Sequence, residues 1–144
     1  QNGVALVETD AAGKVRPGLL VGTSAGNWSG SVDGRYRTLR AGLCLQEAEG
    51  RRFLIYGYFS AATPSTMARV FIAGQCGYAM HLDMNALEHT YMAVYRRGGE
   101  DLQVEHLVRG MEVLDKKSGE QVVPRFVGYA DNRDFFYMMR KDAP

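Results

Sequence analysis

The chain has 144 residues and a net charge of +1, which predicts one globular domain with a sizeable hydrophobic core. Hydrophobic residues make up 46% of it and charged residues 23%, so the composition argues against an intrinsically disordered protein. The near-neutral charge argues against nucleic acid and anionic membranes as general partners, and no apolar run approaches the roughly 18 residues of a transmembrane segment. The chain opens at Gln1 without a methionine or a signal peptide, which we interpret as the start of a trimmed piece of a longer protein.

The first quarter of the chain predicts two strands and a loop. The sequence pattern of residues 3–8 and 15–21 predicts extended strands, and residues 10–14 are predicted to form the turn between them. Residues 22–34 are rich in glycine and serine and predict a loop that carries the only tryptophan, Trp28. Its ring either folds back onto the core or offers a stacking surface to a ligand.

A β-hairpin follows at residues 36–46 and 51–60, joined by a short turn that contains a glycine. Residues 53–59 are apolar and aromatic on both faces. That pattern is typical of a strand that is buried on both sides, so we predict a central strand here.

The next segment predicts a strand–helix–strand crossover. Thr63 is a suitable N-cap and Pro64 fits the first helical position, where its missing N–H costs nothing. A strand at residues 51–60, a helix at 63–75 and a strand at 78–83 predict two parallel, paired strands by default. The fold class expected is therefore α+β, with a mixed twisted β-sheet, this crossover and few helices.

The last third predicts further strands. Residues 89–96 alternate as a strand, 102–111 fit either a helix or a strand, and 133–140 predict a final strand. The two cysteines, Cys44 and Cys76, match neither a disulfide framework nor a metal site. They are either bridged in an oxidising compartment or buried as free thiols.

The chemistry of the chain is expected at the end of the strand in residues 78–85. Side chains alternate between the faces of a strand, so Ala79, His81 and Asp83 are predicted to share one face. An acid and an imidazole at the carboxyl end of a strand are typical of sites in open α/β sheets. The alternative is that Asp83 and Asn85 only cap the following turn.

The same residues resemble a known family. The run Ala79-Met80-His81-Leu82-Asp83-Met84-Asn85 is similar to a signature of the phosphodiester glycosidase family, the family of the uncovering enzyme, and specifically of a bacterial branch. Other segments agree in order and spacing across nearly the whole chain; they are Gln1-Asn2, Val15-Arg16-Pro17-Gly18, Trp28, Arg40-Ala41-Gly42-Leu43, Leu54-Ile55-Tyr56 and Arg133-Asp134-Phe135-Phe136.

Two departures separate this chain from the family pattern. The glycine-rich segment at the start of the family domain is missing, which fits an N-terminally trimmed domain or a site completed by a partner chain. Met84 and Asn85 replace a Gly-Gly pair whose backbone could approach a phosphate closely. The resemblance therefore implies either a changed substrate or a member without turnover.

The resemblance assigns roles to individual residues. It implies Asp83 as the carboxylate that steadies the anomeric carbon or activates water. His81, on the same predicted face, either tunes Asp83 or acts as a proton carrier near neutral pH. Arg40 is the first candidate for the phosphate, followed by Arg125 and Arg133, although each of these also fits a solvated surface residue.

Other residues complete the expected site. Asn85 would orient a sugar hydroxyl, Asp83 itself or a metal-bound water. Trp28 would stack on the ligand if its ring does not fold back onto the core. No cofactor is implied, since an Asp-x-Asn pair with His89 nearby supplies too few ligands to define a divalent cation site.

The expected function is a hydrolase or transferase that cleaves sugar-1-phosphodiester linkages of a glycan, in a secreted or cell-envelope protein of a bacterium. Its partner is then a carbohydrate or sugar-phosphate ligand. The alternative is an inactive member of the family that binds a glycan or a protein.

Overall fold

The structure is a computed structural model that describes residues 5–18, 36–84, 86–99, 101–131 and 135–141. Contacts divide the chain into two compact units, Gln1–Met92 and Ala93–Pro144. That residues 1–144 constitute one domain remains a prediction. Three of the predicted site residues, Trp28, Asn85 and Arg133, lie outside the described residues.

A five-stranded sheet forms most of the first unit. Its strands are β1 (Ala5–Thr9), β2 (Val15–Pro17), β3 (Thr38–Ala48), β4 (Arg51–Ala62) and β5 (Cys76–Met84). They lie in the order β2-β1-β5-β3-β4, and each hydrogen-bonded pair is antiparallel. Within the described ranges the one α-helix is α1 (Pro64–Ala73), which connects β4 to β5. The predicted α+β fold with few helices is confirmed.

The crossover from β4 through α1 to β5 is present, but β3 lies between its two strands. Because β4 and β5 each run antiparallel to β3, they are parallel to each other without sharing hydrogen bonds. The expected direct pairing of these strands is therefore wrong. The position of β3 between β4 and β5 suits the packing of the helix, since Gly42 of β3 leaves room for Phe71 and Met67 of α1.

The prediction that residues 53–59 form a central strand is also wrong for the described sheet. β4 is its edge strand, and Phe53 and Leu54 are 36% and 46% exposed. Apolar side chains on both faces of a strand indicate burial on two sides, but they do not say whether both backbone edges are paired.

The predicted start of the helix is confirmed. Thr63 is the N-cap, its hydroxyl accepts a hydrogen bond from the backbone N–H of Thr66, and Pro64 occupies the first turn. The face of α1 with Met67, Ala68 and Phe71 packs on the sheet. Together with it, the core contains Leu6, Val7, Cys44, Ala62, Cys76 and Ala79.

A disulfide joins Cys44 of β3 to Cys76 of β5 across two adjacent strands. Both cysteines are about 1% exposed. The bond therefore closes a loop that contains β4 and α1, and it decides between the two states that the sequence left open. No helix in the described part of the chain is long and apolar enough to cross a membrane.

The second unit consists of two hairpins and short connections. β6 (Ala93–Gly98) pairs with β7 (Asp101–His106), a short 3-10 helix covers Met111–Leu114, and β8 (Lys116–Ser118) pairs with β9 (Gln121–Val123). The final strand predicted at 133–140 is wrong for its described part. Residues 135–140 form no strand and are exposed, because no neighbouring strand among the described residues pairs with them.

Candidate functional site

Arg40 is the most deeply buried charged residue of the described chain, with no exposed surface. Its Nε donates to the Ala62 carbonyl at 2.9 Å, and one terminal nitrogen donates to the Met84 sulfur at 2.8 Å. The other terminal nitrogen donates to the Tyr36 carbonyl at 3.2 Å. Arg40 therefore ties together the entrance to β3, the end of β4 just before α1, and the end of β5.

The guanidinium of Arg40 has no carboxylate partner among the described residues. Its partners are neutral carbonyls, a thioether and an imidazole, so its charge is solvated by dipoles rather than neutralised. Burial lowers the pKa of Arg40 from its ordinary value. A buried cation without a counter-ion leaves a positive potential at this end of the sheet.

His81 lies beside Arg40 and is only 3% exposed. Its Nε2 is 3.4 Å from an Arg40 nitrogen. A guanidinium only donates, so Nε2 must accept and the imidazole is neutral. Burial, with the Arg40 charge in addition, lowers the pKa of His81 to about 3. The imidazole of His81 is therefore uncharged at neutral pH, and its role as a proton carrier stays a prediction.

An irregularity in the pairing of β3 and β5 places Asp83 on a different side from His81. Arg40 is opposite Met84 and Gly42 is opposite His81, so β5 has one more residue than β3 between these pairs. Such a β-bulge shifts the alternation of side chains. Met84 is consequently buried, while the side chain of Asp83 is 55% exposed. The expected shared face of His81 and Asp83 is wrong for this reason.

Asp83 is instead held by the turn that follows β5. Its Oδ1 accepts a hydrogen bond from the Met84 backbone N–H at 2.8 Å. The Nδ1 atom of His89, in the 3-10 helix Leu87–Thr90, lies 3.5 Å from the same oxygen and 3.1 Å from the Met84 carbonyl. A carbonyl only accepts, so Nδ1 of His89 carries the proton. The second carboxylate oxygen of Asp83 has no partner among the described residues.

The structure thus forms two separate pairs at the carboxyl end of β5: buried Arg40 with the neutral imidazole of His81, and exposed Asp83 with His89. Met84 contacts members of both pairs, through its sulfur and its backbone. His89 was considered in the sequence only as a cation ligand. Its contact with Asp83 depends on the short 3-10 helix, for which the sequence gives no distinct signal.

Arg125, predicted as a second phosphate ligand, belongs to the second unit. Its Nε donates to Asp131 at 2.8 Å, and its guanidinium lies 4.7 Å from the centre of the Phe126 ring. Arg125 is 4% exposed and already has a carboxylate partner. Its contacts fit a buried structural ion pair.

No group of three or more His, Cys, Asp or Glu side chains that would hold a metal ion occurs in the described ranges. A hollow of about 280 Å³ is lined by residues 47–52 at the β3–β4 turn. It lies at the opposite end of β3 from Arg40, eight residues or roughly 26 Å along the strand, and contains none of the predicted site residues.

Comparison with protein-family models, curated proteins and solved structures finds no match for this chain.

Proposed function

We propose that this chain cleaves sugar-1-phosphodiester linkages, as a hydrolase or transferase, with Asp83 as the reacting carboxylate. The observation that carries the proposal is that this carboxylate is held in place by one oxygen and accessible at the other. One oxygen is fixed by the Met84 N–H and faces His89, whereas the other is open, on a side chain that is 55% exposed. A fixed but accessible carboxylate is what a water-activating base or a stabiliser of an oxocarbenium-like centre requires.

The positive charge of Arg40 supports a phosphate-bearing substrate. Arg40 is fully buried and most of its donors are used within the protein. Its contribution is therefore an electrostatic potential and not a direct ligand contact. An anion bound within roughly 6–8 Å of this charge would be stabilised by roughly 2–3 kcal/mol at an effective dielectric constant near 20.

The leaving group explains why one carboxylate is enough. A phosphate monoester has a second pKa of roughly 6, so it departs more readily than an ordinary sugar hydroxyl. A strong general acid is then not needed, which agrees with an imidazole of His81 that is uncharged at neutral pH. His89 acts in this proposal as a positioning residue for Asp83.

The resemblance to the phosphodiester glycosidase family is part of the proposal, and so is its export to the bacterial cell envelope or medium. The Cys44–Cys76 disulfide supports export, because such bonds persist in oxidising compartments.

The test is release of free sugar from a panel of sugar-1-phosphodiesters. We expect turnover by the wild-type protein, a loss of about 100-fold or more in kcat for Asp83→Asn, and a smaller loss for His89→Gln. Glu47→Gln, the same type of change at the far end of β3, is the matched control and should retain full activity. Melting temperatures of all variants show whether a loss reflects unfolding.

A second candidate is a non-catalytic module that binds a glycan or a protein. It is favoured by the burial of Arg40 and His81, two residues that a substrate would otherwise contact. Absence of turnover, together with calorimetric binding of a sugar phosphate that Asp83→Asn weakens, would replace the enzyme with this module. If the protein shows no turnover and also binds no sugar phosphate, both candidates are contradicted.

A further inference from the structure

We infer that the outer edge of β4 pairs with the same edge of a second copy of this chain, forming a two-fold symmetric dimer with a continuous ten-stranded sheet.

β4 has the properties of an unprotected edge strand. Among the described residues only β3 pairs with it, so its other side presents backbone N–H and C=O groups without strand partners. It is twelve residues long and carries an uninterrupted apolar run at residues 53–59. Monomeric proteins usually block such an edge with a proline, a lysine or a bulge in its middle. β4 has none of these within that run.

The regular part of β4 sets the register of the dimer. The pairing with β3 is continuous from Arg51 to Phe59 and becomes irregular beyond Phe59, where β4 has one residue more than β3. A two-fold axis perpendicular to a sheet keeps each residue on its own face, so one residue must lie opposite its own copy, with the axis midway between the two. Centring residues 51–59 on Ile55 pairs the whole regular stretch with its copy.

This register is self-complementary in charge and shape. Arg51 faces Phe59 of the second copy, and Arg52 faces its Tyr58, so each cation meets an aromatic ring. The arginines of the two copies lie at opposite ends of the paired strands, about 25 Å apart. On the face away from α1, Leu54 pairs with Tyr56 of the second copy. Like charges therefore do not oppose one another.

The size of the contact predicts a dimer of modest affinity. Nine paired residues from each copy are fewer than the 20–30 residues per partner of a standard stable interface. We expect dissociation in the micromolar range, so the dimer forms at high protein concentration and separates on dilution.

Sedimentation velocity from about 1 μM to 1 mM tests the inference. The expected result is a concentration-dependent shift from 15.9 kDa to twice that mass. Leu54→Lys should weaken dimerisation at least tenfold, because two ammonium groups approach each other diagonally across the axis. Leu54→Glu should weaken dimerisation in the same way, because it also places two like charges near the axis. Agreement between the two variants shows that charge repulsion is the cause and not a particular property of lysine.

Leu45→Lys is the matched control. Leu45 is opposite Leu54 on β3, on the same face, and the two are 50% and 46% exposed, but Leu45 is one strand away from the edge. Its variant should dimerise as the wild type does. Amide hydrogen exchange in β4 should also slow as concentration rises. A chain that is monomeric throughout, or a dimer that survives both changes at Leu54, would overturn the inference, as would capture of an apolar peptide by β4 without self-association.

Discussion

Arg40 and His81 show how a buried charge is kept in a fold without a counter-ion. The guanidinium contacts the imidazole at 3.4 Å and three neutral acceptors besides. If His81 were protonated, two cations would face each other in a region shielded from water. The pair is stable only while the imidazole is neutral, which makes the fold sensitive to acid at this position.

We predict that acid destabilises the protein partly through His81. The pKa of His81 is about 3 in the folded chain and roughly 6.5 when unfolded, so the unfolded state binds the extra proton between these values. Stability is lost as pH falls below about 6.5, by roughly 2–3 kcal/mol at pH 4.5. Urea denaturation of wild type and His81→Gln at pH 7 and pH 4.5 measures this loss. An equal fall in both proteins would contradict it.

At the scale of elements, the contact of α1 with β3 depends on a glycine. A Cβ at Gly42 would lie 3.0 Å from the Met80 carbonyl oxygen, 3.0 Å from the Phe71 ring and 3.1 Å from the Met67 methyl group. These contacts are tighter than normal, so Met80, Phe71 and Met67 would each have to shift by a few tenths of an ångström to admit a methyl group. The sequence gives no sign of this, since Gly42 appears in an ordinary alternating strand.

We predict that Gly42→Ala lowers the free energy of unfolding by about 1–3 kcal/mol, because overpacking displaces the helix. Gly74→Ala is the control: a Cβ there would meet Val70 and Phe71 oxygens at an ordinary 3.5 Å, and the change should stay within about 0.5 kcal/mol. Thermal or urea denaturation measures both. Equal effects of the two changes would show that the helix does not need close approach at Gly42.

Local signals in the sequence predicted local structure well. The cap at Thr63 and Pro64, the β3–β4 hairpin and the crossover through α1 are confirmed because each depends on neighbouring residues. The order of strands was missed, since pairing across the sheet depends on distant contacts that periodicity does not record. The expected shared face of His81 and Asp83 is wrong for the same reason: the bulge that turns Asp83 outward exists only where β5 meets β3.

At the scale of the whole molecule, the Cys44–Cys76 disulfide is a covalent cross-link within the first unit. It joins two residues that are 32 positions apart in the sequence. Closing a loop of this length restricts the unfolded chain and stabilises the folded one by about 3–4 kcal/mol. The bond also secures β3 and β5, the two strands that carry the groups of the candidate site.

We predict that the double change Cys44→Ala and Cys76→Ala lowers the free energy of unfolding by about 3–4 kcal/mol. Wild-type protein in a reducing agent should lose a similar amount, which serves as the internal check. Denaturation curves with and without reductant provide the measurement. A loss below about 1 kcal/mol in both cases would indicate that the bond contributes little to the stability of the fold.

The same bond sets a limit on how far the chain extends under tension. A force applied at the two ends can unfold β1, β2 and the second unit, but it cannot stretch the segment between Cys44 and Cys76. At roughly 3.4 Å per residue, that segment would add about 100 Å to the extended chain. The maximal extension of the oxidised protein is therefore shorter than the contour length of the whole chain. The remaining length becomes available only when the Cys44–Cys76 bond is reduced.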